Sequence, residues 1–98
     1  MENVLEKLDK HALYEKIERH AFGPIFAAYE YEGDYILYGE VDIYRVDKDL
    51  NEKWRFFGED IFITGSGEEG FLMKEDRICL WDFMGKYYEL DYNGNELV

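Results

Sequence analysis

Residues 25–38, IFAAYEYEGDYILY, decide the fold. Two runs rich in aromatic and branched residues, Ile25–Tyr31 and Tyr35–Tyr38, flank the turn sequence Glu32-Gly33-Asp34, as in a β-hairpin. Because a parallel crossover needs about a dozen residues or more, we expect the two runs to pair antiparallel. The sequence therefore predicts a sheet that is built from consecutive hairpins.

Similar short runs continue to the end of the chain, and short connections rich in turn residues separate them. They are Asp42–Val46, Glu52–Phe57, Ile61–Thr64, Phe71–Lys74, Arg77–Phe83, Lys86–Asp91 and Glu96–Val98. Together with the first hairpin, they predict a twisted antiparallel β-meander of seven to nine short strands. One open, curled layer and two packed layers both fit this pattern.

A helical pattern precedes the strands. Residues 2–20 carry apolar side chains at helical spacing, with Asn3 and Glu6 at capping-box spacing; a break at Asp9-Lys10 would give two short helices instead. We therefore predict an α+β fold in one domain, residues 1–98, with a helical segment over 1–24 packed on an antiparallel β region over 25–98. The predicted core residues are Leu5, Leu8, Leu13, Ile17, Ile25, Ile36, Leu37, Ile43, Val46, Trp54, Phe56, Ile61, Ile63, Leu72, Ile78, Leu80, Trp81, Phe83 and Leu90.

Charge restricts the classes of partner. The chain has 23 Asp and Glu against 11 Lys and Arg, a net charge of −12, and 18 of the acids but only seven of the bases lie in residues 25–98. Such an excess repels phosphate backbones and anionic membranes, so we expect no nucleic-acid partner and no membrane partner. The hydrophobic content of 47% is nevertheless enough for a folded core.

The cysteine content and the N-terminal sequence indicate the compartment. Cys79 is the single cysteine, so no disulfide can form within the chain. Residues 1–7, MENVLEK, lack the basic and apolar regions of a secretory signal. We therefore expect a cytoplasmic protein.

An internal repeat of about 44 residues runs through the β region. Residues 43–52, IYRVDKDLNE, align with residues 87–96, YYELDYNGNE, and share Tyr, Asp, Asn and Glu at matching positions. This phrase, with the strand that opens at Trp54, resembles the blade units of β-propeller repeat proteins over about residues 29–98. The resemblance implies a self-assembling β module, because two units cannot close a propeller and the second lacks a counterpart of Lys53–Phe57.

A second resemblance concerns residues 54–62, WRFFGEDIF, and residues 74–83, KEDRICLWDF. Both segments resemble small acidic bacterial proteins of the toxin-immunity kind. This resemblance implies a protein that binds a nuclease-like toxin and neutralises it.

Oxygen-bearing side chains alternate in two turns, Asp47-x-Asp49-x-Asn51 and Asp91-x-Asn93-x-Asn95, as they do in calcium loops. Glu52 stands where an EF-hand requires Gly, so stabilisation of the turns by side-chain hydrogen bonds is the favoured interpretation. His11 and His20 are nine residues apart, a spacing that does not suit a helical zinc site. We expect no metal and no cofactor.

Adjacent acids at Glu59-Asp60, Glu68-Glu69 and Glu75-Asp76 raise the alternative of a small hydrolase or metal-dependent enzyme. Neighbouring acids on a strand point to opposite faces, however, and those in loops are usually solvated. We therefore expect no catalytic residue and a protein that is not an enzyme.

Tyrosines interleaved with acids indicate a recognition surface, because Tyr anchors interfaces and carboxylates complement a basic partner. The alternative is a sheet with one face in the core and its tyrosine hydroxyls at the solvent. We predict a non-catalytic acidic module that neutralises or regulates a basic protein partner; a self-assembling module, as a homodimer, is the second hypothesis. The candidate partner-binding residues are Tyr29, Glu30, Tyr31, Glu32, Asp34, Tyr38, Glu40, Asp42, Glu89 and Asp91.

Overall fold

The fold, given by a computed structural model that describes residues 3–20 and 22–97, is α+β. In these residues, eight antiparallel strands form two four-stranded sheets, and one helix packs on the first sheet. No helix in this part of the chain has the length and apolar character needed to cross a bilayer. The elements are α1 (His11–Arg19), β1 (Ile25–Tyr31), β2 (Asp34–Gly39), β3 (Asp42–Val46), β4 (Glu52–Phe57), β5 (Phe71–Met73), β6 (Ile78–Trp81), β7 (Tyr87–Leu90) and β8 (Glu96–Leu97).

Each sheet is a simple meander. The first has the order β1-β2-β3-β4 and the second β5-β6-β7-β8, with every neighbouring pair antiparallel. A shift of 44 residues takes each strand of the first sheet onto a range that contains its counterpart in the second. The chain thus contains two equivalent four-stranded units, joined by residues 58–70.

The predicted strand at residues 61–64 is absent as such. Ile63 forms only an isolated bridge to Glu69, while the Phe62 N–H donates to the Glu40 carbonyl of the β2–β3 turn at 2.8 Å. The segment crosses between the sheets. Its backbone groups bond to residues of both units, so it adds a strand to neither sheet. Of the last predicted strand, Val98 lies outside the described residues.

The helix predicted over residues 2–20 is wrong for residues 3–10, which are not helical, and Glu2 lies outside the described residues. The Val4 N–H donates to the Met73 carbonyl of β5 at 3.0 Å, and the Leu8 N–H donates to the Ala28 carbonyl of β1 at 2.8 Å. Asn3, predicted as a helix cap, accepts instead from the Met73 N–H at 2.5 Å. We call residues 3–8 the N-terminal strap. The strap bonds to the exposed backbone edges of both sheets, and these hydrogen bonds compete with helix formation.

The main core lies between the sheets. A second core lies under α1, where Leu13 and Ile17 pack against Ala28, Leu37 and Val46 of the first sheet. The main core consists of Ala27, Tyr29, Ile36, Tyr38, Ile43, Phe62, Phe71, Met73, Ile78, Leu80, Tyr88, Leu90 and Tyr92.

Among the predicted core residues, Phe83 is wrong. Strand β6 ends at Trp81, and Phe83 lies in the turn that follows, where 48% of its surface is exposed. The sequence analysis also missed several large buried side chains. These are Tyr29, Tyr38, Tyr44, Phe62, Phe71, Met73, Tyr88 and Tyr92.

Candidate partner-binding surface

Three of the ten predicted partner-binding residues lie in the interior. Tyr29 stacks on Phe71 with ring centroids 5.5 Å apart, and burial raises the pKa of Tyr29 to about 12. The Tyr38 hydroxyl donates to the Phe62 carbonyl at 2.5 Å inside the main core. Asp34 is buried beside Arg45. These side chains hold the sheets together and do not line the surface.

The β1–β2 hairpin carries three further candidates at its turn end. Tyr31 is half-buried and stacks against Tyr92 with centroids 4.0 Å apart. Glu30 is exposed and bonded to Lys48, which lowers the pKa of the Glu30 carboxyl. Glu32 is exposed in the turn, where its backbone has a φ of 47°. Only Glu32 of the three presents a carboxylate without a base beside it in the described part of the chain.

The remaining four candidates lie elsewhere. Glu40 and Asp42 are half-buried beyond the other end of β2, where Asp42 accepts a hydrogen bond from the Tyr44 hydroxyl at 2.8 Å. Glu89 lies in β7 and Asp91 lies in the turn that follows this strand, and Glu89 accepts from the Tyr87 hydroxyl at 2.5 Å. The ten predicted residues therefore do not form one continuous face.

The aspartate turns have the hydrogen bonds that side-chain stabilisation predicts. Asp47 Oδ1 accepts the backbone N–H groups of Asp49 and Asn51, both at 2.9 Å, and its Oδ2 accepts the Asn51 amide. Asp91 repeats this arrangement with Asn93 and Asn95. The Asn51 and Asn95 backbone donors are the main reason that the pKa of each carboxyl lies below its usual value. The turn interpretation is confirmed.

A third turn of this kind, at Asp82, was not predicted from the sequence. Asp82 Oδ1 accepts the N–H groups of Met84 and Lys86 at 3.0 and 2.9 Å, and its Oδ2 accepts the buried Tyr88 hydroxyl. The signal was available, because Asp82-x-x-Gly85 matches Asp91-x-x-Gly94. The shared fourth position has positive φ in all three turns, at Leu50 and at both glycines.

Exposed carboxylates dominate the surface. In residues 3–20 and 22–97, ten exposed acids have no basic group within 4.0 Å. They occur on both sheets, on α1 and in the connecting loops. They are Glu6, Asp9, Glu18, Glu32, Asp49, Glu52, Glu68, Glu69, Glu75 and Glu96.

Three of these acids line a groove beside the N-terminal strap. The groove has a volume of about 890 Å³, and its lining includes Leu5, Glu6, Glu68, Glu69, Leu72 and Trp81. We call it the strap groove. The sequence analysis assigned Trp81 to the core and Glu68-Glu69 to a solvated loop. No local pattern could have joined them, because the groove forms only where residues 3–6 meet the second sheet.

Apolar side chains are exposed at one end of the molecule. Val41, Phe57, Phe83 and Met84 lie in the β2–β3 turn, at the end of β4 and in the β6–β7 turn. Residues 61–62 connect the two turns, since the Phe62 N–H donates to the Glu40 carbonyl and the Phe83 N–H donates to the Ile61 carbonyl, both at 2.8 Å. Phe57 pairs with Asp42, next to Val41. We call these four residues the apolar end.

Comparisons with protein-family models, with curated proteins and with solved structures find no match. The resemblances to propeller blades and to immunity proteins therefore remain predictions from the sequence.

Proposed function

We propose that the protein is a non-catalytic acidic binding module that neutralises or regulates a basic protein partner. The observation that carries this proposal is the set of ten exposed acids without a neighbouring base. An excess of one charge on a rigid surface attracts a partner of opposite charge over several ångströms and speeds association.

The best-organised polar groups support a binding role over a catalytic one. Asp34, Asp47, Asp82 and Asp91 are engaged in ion pairs or turns, and Tyr38 bridges two backbone groups in the core. These are the groups with the most fixed geometry, and each serves the fold. The exposed carboxylates are left to act through their summed charge.

The more specific form of the proposal is an immunity protein for a nuclease-like toxin. A nuclease attracts phosphate groups with Lys and Arg at its active site. Carboxylates at phosphate-like positions would occupy the same basic surface and exclude nucleic acid. The two segments that resemble immunity proteins, residues 54–62 and 74–83, include five large exposed or half-buried aromatic side chains. They are Trp54, Phe56, Phe57, Trp81 and Phe83.

Self-association is the second candidate, and the apolar end favours it. Phe57 is 63% exposed and Met84 is 77% exposed, whereas exposed apolar patches on monomers are usually small. A second copy of the chain that packs on this end would bury both side chains.

Affinity capture at two salt concentrations tests the binding proposal. The immobilised chain is expected to recover proteins of high isoelectric point at low salt and to lose them at high salt, because the Debye length falls from about 30 Å at 0.01 M to about 3 Å at 1 M. The matched control is a bait with Glu18, Glu32, Glu52 and Glu96 changed to Gln. Recovery of neutral or acidic proteins alone, or capture that does not respond to salt, would contradict the proposal.

A further inference from the structure

The strap groove combines two hydrogen-bonded walls with three carboxylates and several apolar side chains. One wall is the N-terminal strap, held to β5 by the Val4–Met73 hydrogen bond of 3.0 Å. The other is the loop that ends in Glu68 and Glu69. Backbone hydrogen bonds fix this loop, since the Thr64 N–H donates to the Glu68 carbonyl at 3.0 Å. Backbone hydrogen bonds therefore position both walls.

The charge of the groove is of one sign. Glu6, Glu68 and Glu69 line it, and no Lys or Arg is among its described lining residues. None of the three carboxylates has a basic group within 4.0 Å in the described chain. Carboxylates that share a concave surface raise its negative potential, so a cation gains more there than at an isolated acid.

The apolar part of the lining favours a cation on an apolar stem over a simple ion. Leu5, Leu72 and Trp81 also line the groove, and the Trp81 ring is half-buried against Tyr87, with centroids 5.0 Å apart. An aromatic face beside carboxylates suits a guanidinium or ammonium group on an apolar stem, because the ring attracts the cation and contacts the methylene groups.

We propose that the strap groove binds a segment of the basic partner that presents Arg or Lys next to an apolar side chain. This inference rests on the function proposed above and names the site that recognises the partner. The cation lies among Glu6, Glu68 and Glu69, and the apolar side chain contacts Leu72 and Trp81. Anionic ligands are repelled by the same three carboxylates.

A peptide that alternates arginine and leucine is the probe, titrated into the ¹⁵N-labelled full chain at low salt. The chain has two indole N–H signals, which provide an internal control. Trp54 donates to the Tyr92 carbonyl at 3.0 Å where the two sheets meet, so its signal is expected to stay in place. The Trp81 signal is expected to move as the groove fills, and a peptide that alternates arginine and serine is expected to bind at least fivefold more weakly.

Two variants of equal charge locate the binding energy. Glu68→Gln with Glu69→Gln is expected to weaken the Kd for the arginine–leucine peptide by about tenfold. Glu18→Gln with Glu52→Gln removes the same charge from α1 and β4 and is expected to change the Kd by less than about twofold. Trp81→Phe keeps an aromatic ring and is expected to keep most of the affinity. Trp81→Leu, checked for folding by circular dichroism, is expected to weaken binding at least fivefold.

The outcomes separate this inference from the proposed function. Equal weakening by the two charge variants would overturn the groove and leave a binding module that acts through its whole surface. The same conclusion follows if the peptide moves signals elsewhere and leaves Trp81 unchanged. If the parent chain binds no arginine–leucine peptide at low salt, the groove is overturned, and the capture experiment independently decides whether a basic partner exists.

Discussion

Arg45 and Asp34 form the ion pair at the joint between the two sheets. The Arg45 Nε lies 2.8 Å from the Asp34 Oδ2, and these side chains are only 12% and 8% exposed. The same guanidinium donates to the Tyr92 carbonyl of the second sheet at 2.9 Å. Hydrogen bonds from Lys53 and then Arg45 lower the pKa of Asp34 despite its burial. The acid that the sequence suggested for partner binding therefore fixes the position of one sheet on the other.

Removing this carboxylate is expected to destabilise the fold strongly, because it leaves Arg45 buried without its counter-charge. Asp34→Ala should lower the free energy of unfolding by about 3 kcal/mol. Urea denaturation followed by circular dichroism measures the change. Asp49→Ala, at an exposed acid of the neighbouring turn, should stay within about 0.5 kcal/mol of the parent. Similar losses in both variants would contradict a special role for the Arg45 pair.

Tyr38 provides a second test of the interior. Its hydroxyl donates to the Phe62 carbonyl at 2.5 Å and accepts the Gly70 N–H at 3.1 Å, and both bonds are buried. Tyr38→Phe removes both of these buried bonds, although the Gly70 N–H still donates to the Phe62 carbonyl at 3.1 Å, and should cost about 2 kcal/mol of unfolding free energy, about 1 kcal/mol for each bond. Tyr87→Phe removes an exposed hydroxyl that bonds to Glu89 and should cost less than about 1 kcal/mol. Equal costs would show that the buried bonds are replaced, for example by water.

The hairpins were predictable because their determinants are local. Strands β1, β3 and β4 have the bounds that the sequence predicted, since alternating residue types and short turns are both visible within a few positions. The Asp47 and Asp91 turns were visible for the same reason. A side chain that bonds to backbone groups two and four residues ahead leaves a fixed spacing in the sequence.

The strap, the tyrosines and the groove were not predictable in this way. Residues 3–8 have helical spacing, but the edges of β1 and β5 offer them backbone partners that lie far along the chain. Tyr29 alternates with acids just as a surface residue does, yet the second sheet covers the face that it shares with Tyr38. Whether a tyrosine is interior or exposed depends here on sheet packing, which no local pattern encodes.

Gly94 is the turn position with the least space. Its φ is +86°, and an added Cβ would lie 2.6 Å from Trp54 Cγ. Gly85 has the same φ in the equivalent Asp82 turn, with open space around its Cβ position. Gly85→Ala should therefore cost only the left-handed strain of about 1 kcal/mol. Gly94→Ala should cost clearly more in thermal unfolding, because Trp54 must also move. Equal costs would mean that the indole shifts freely.

Acid should destabilise the protein through its ordered carboxylates. The backbone N–H groups of Asn51 and Asn95 hold the pKa values of Asp47 and Asp91 below their usual range, and Lys53 does the same for Asp34. Their stabilisation is complete above the unfolded pKa of about 3.9 and is lost as the pH falls through the lower folded values. The Tm should therefore fall below about pH 4.

A double variant shows how much of this fall in Tm at acid pH comes from the Asp47 and Asp91 turns. Asp47→Asn with Asp91→Asn should make the Tm fall less steeply below about pH 4, since the amide does not titrate. If the Tm of this variant falls as steeply as that of the parent, other carboxylates account for the loss of stability.

Self-association should strengthen with salt, whereas binding to a basic partner should weaken. Phe57 and Met84 expose apolar surface that a second copy would bury, but the net charge of −12 on each chain opposes contact at low ionic strength. Light scattering at low and high salt, up to high micromolar protein, is expected to show a rise in mass only at high salt. Phe57→Ser with Met84→Ser keeps the charge and should remain monomeric in both. A parent chain that stays monomeric throughout would remove the assembly hypothesis. If the variant still associates at high salt, the contact lies instead at the edges of β4 and β8. These strands end the two sheets on the side opposite the edges that the N-terminal strap covers.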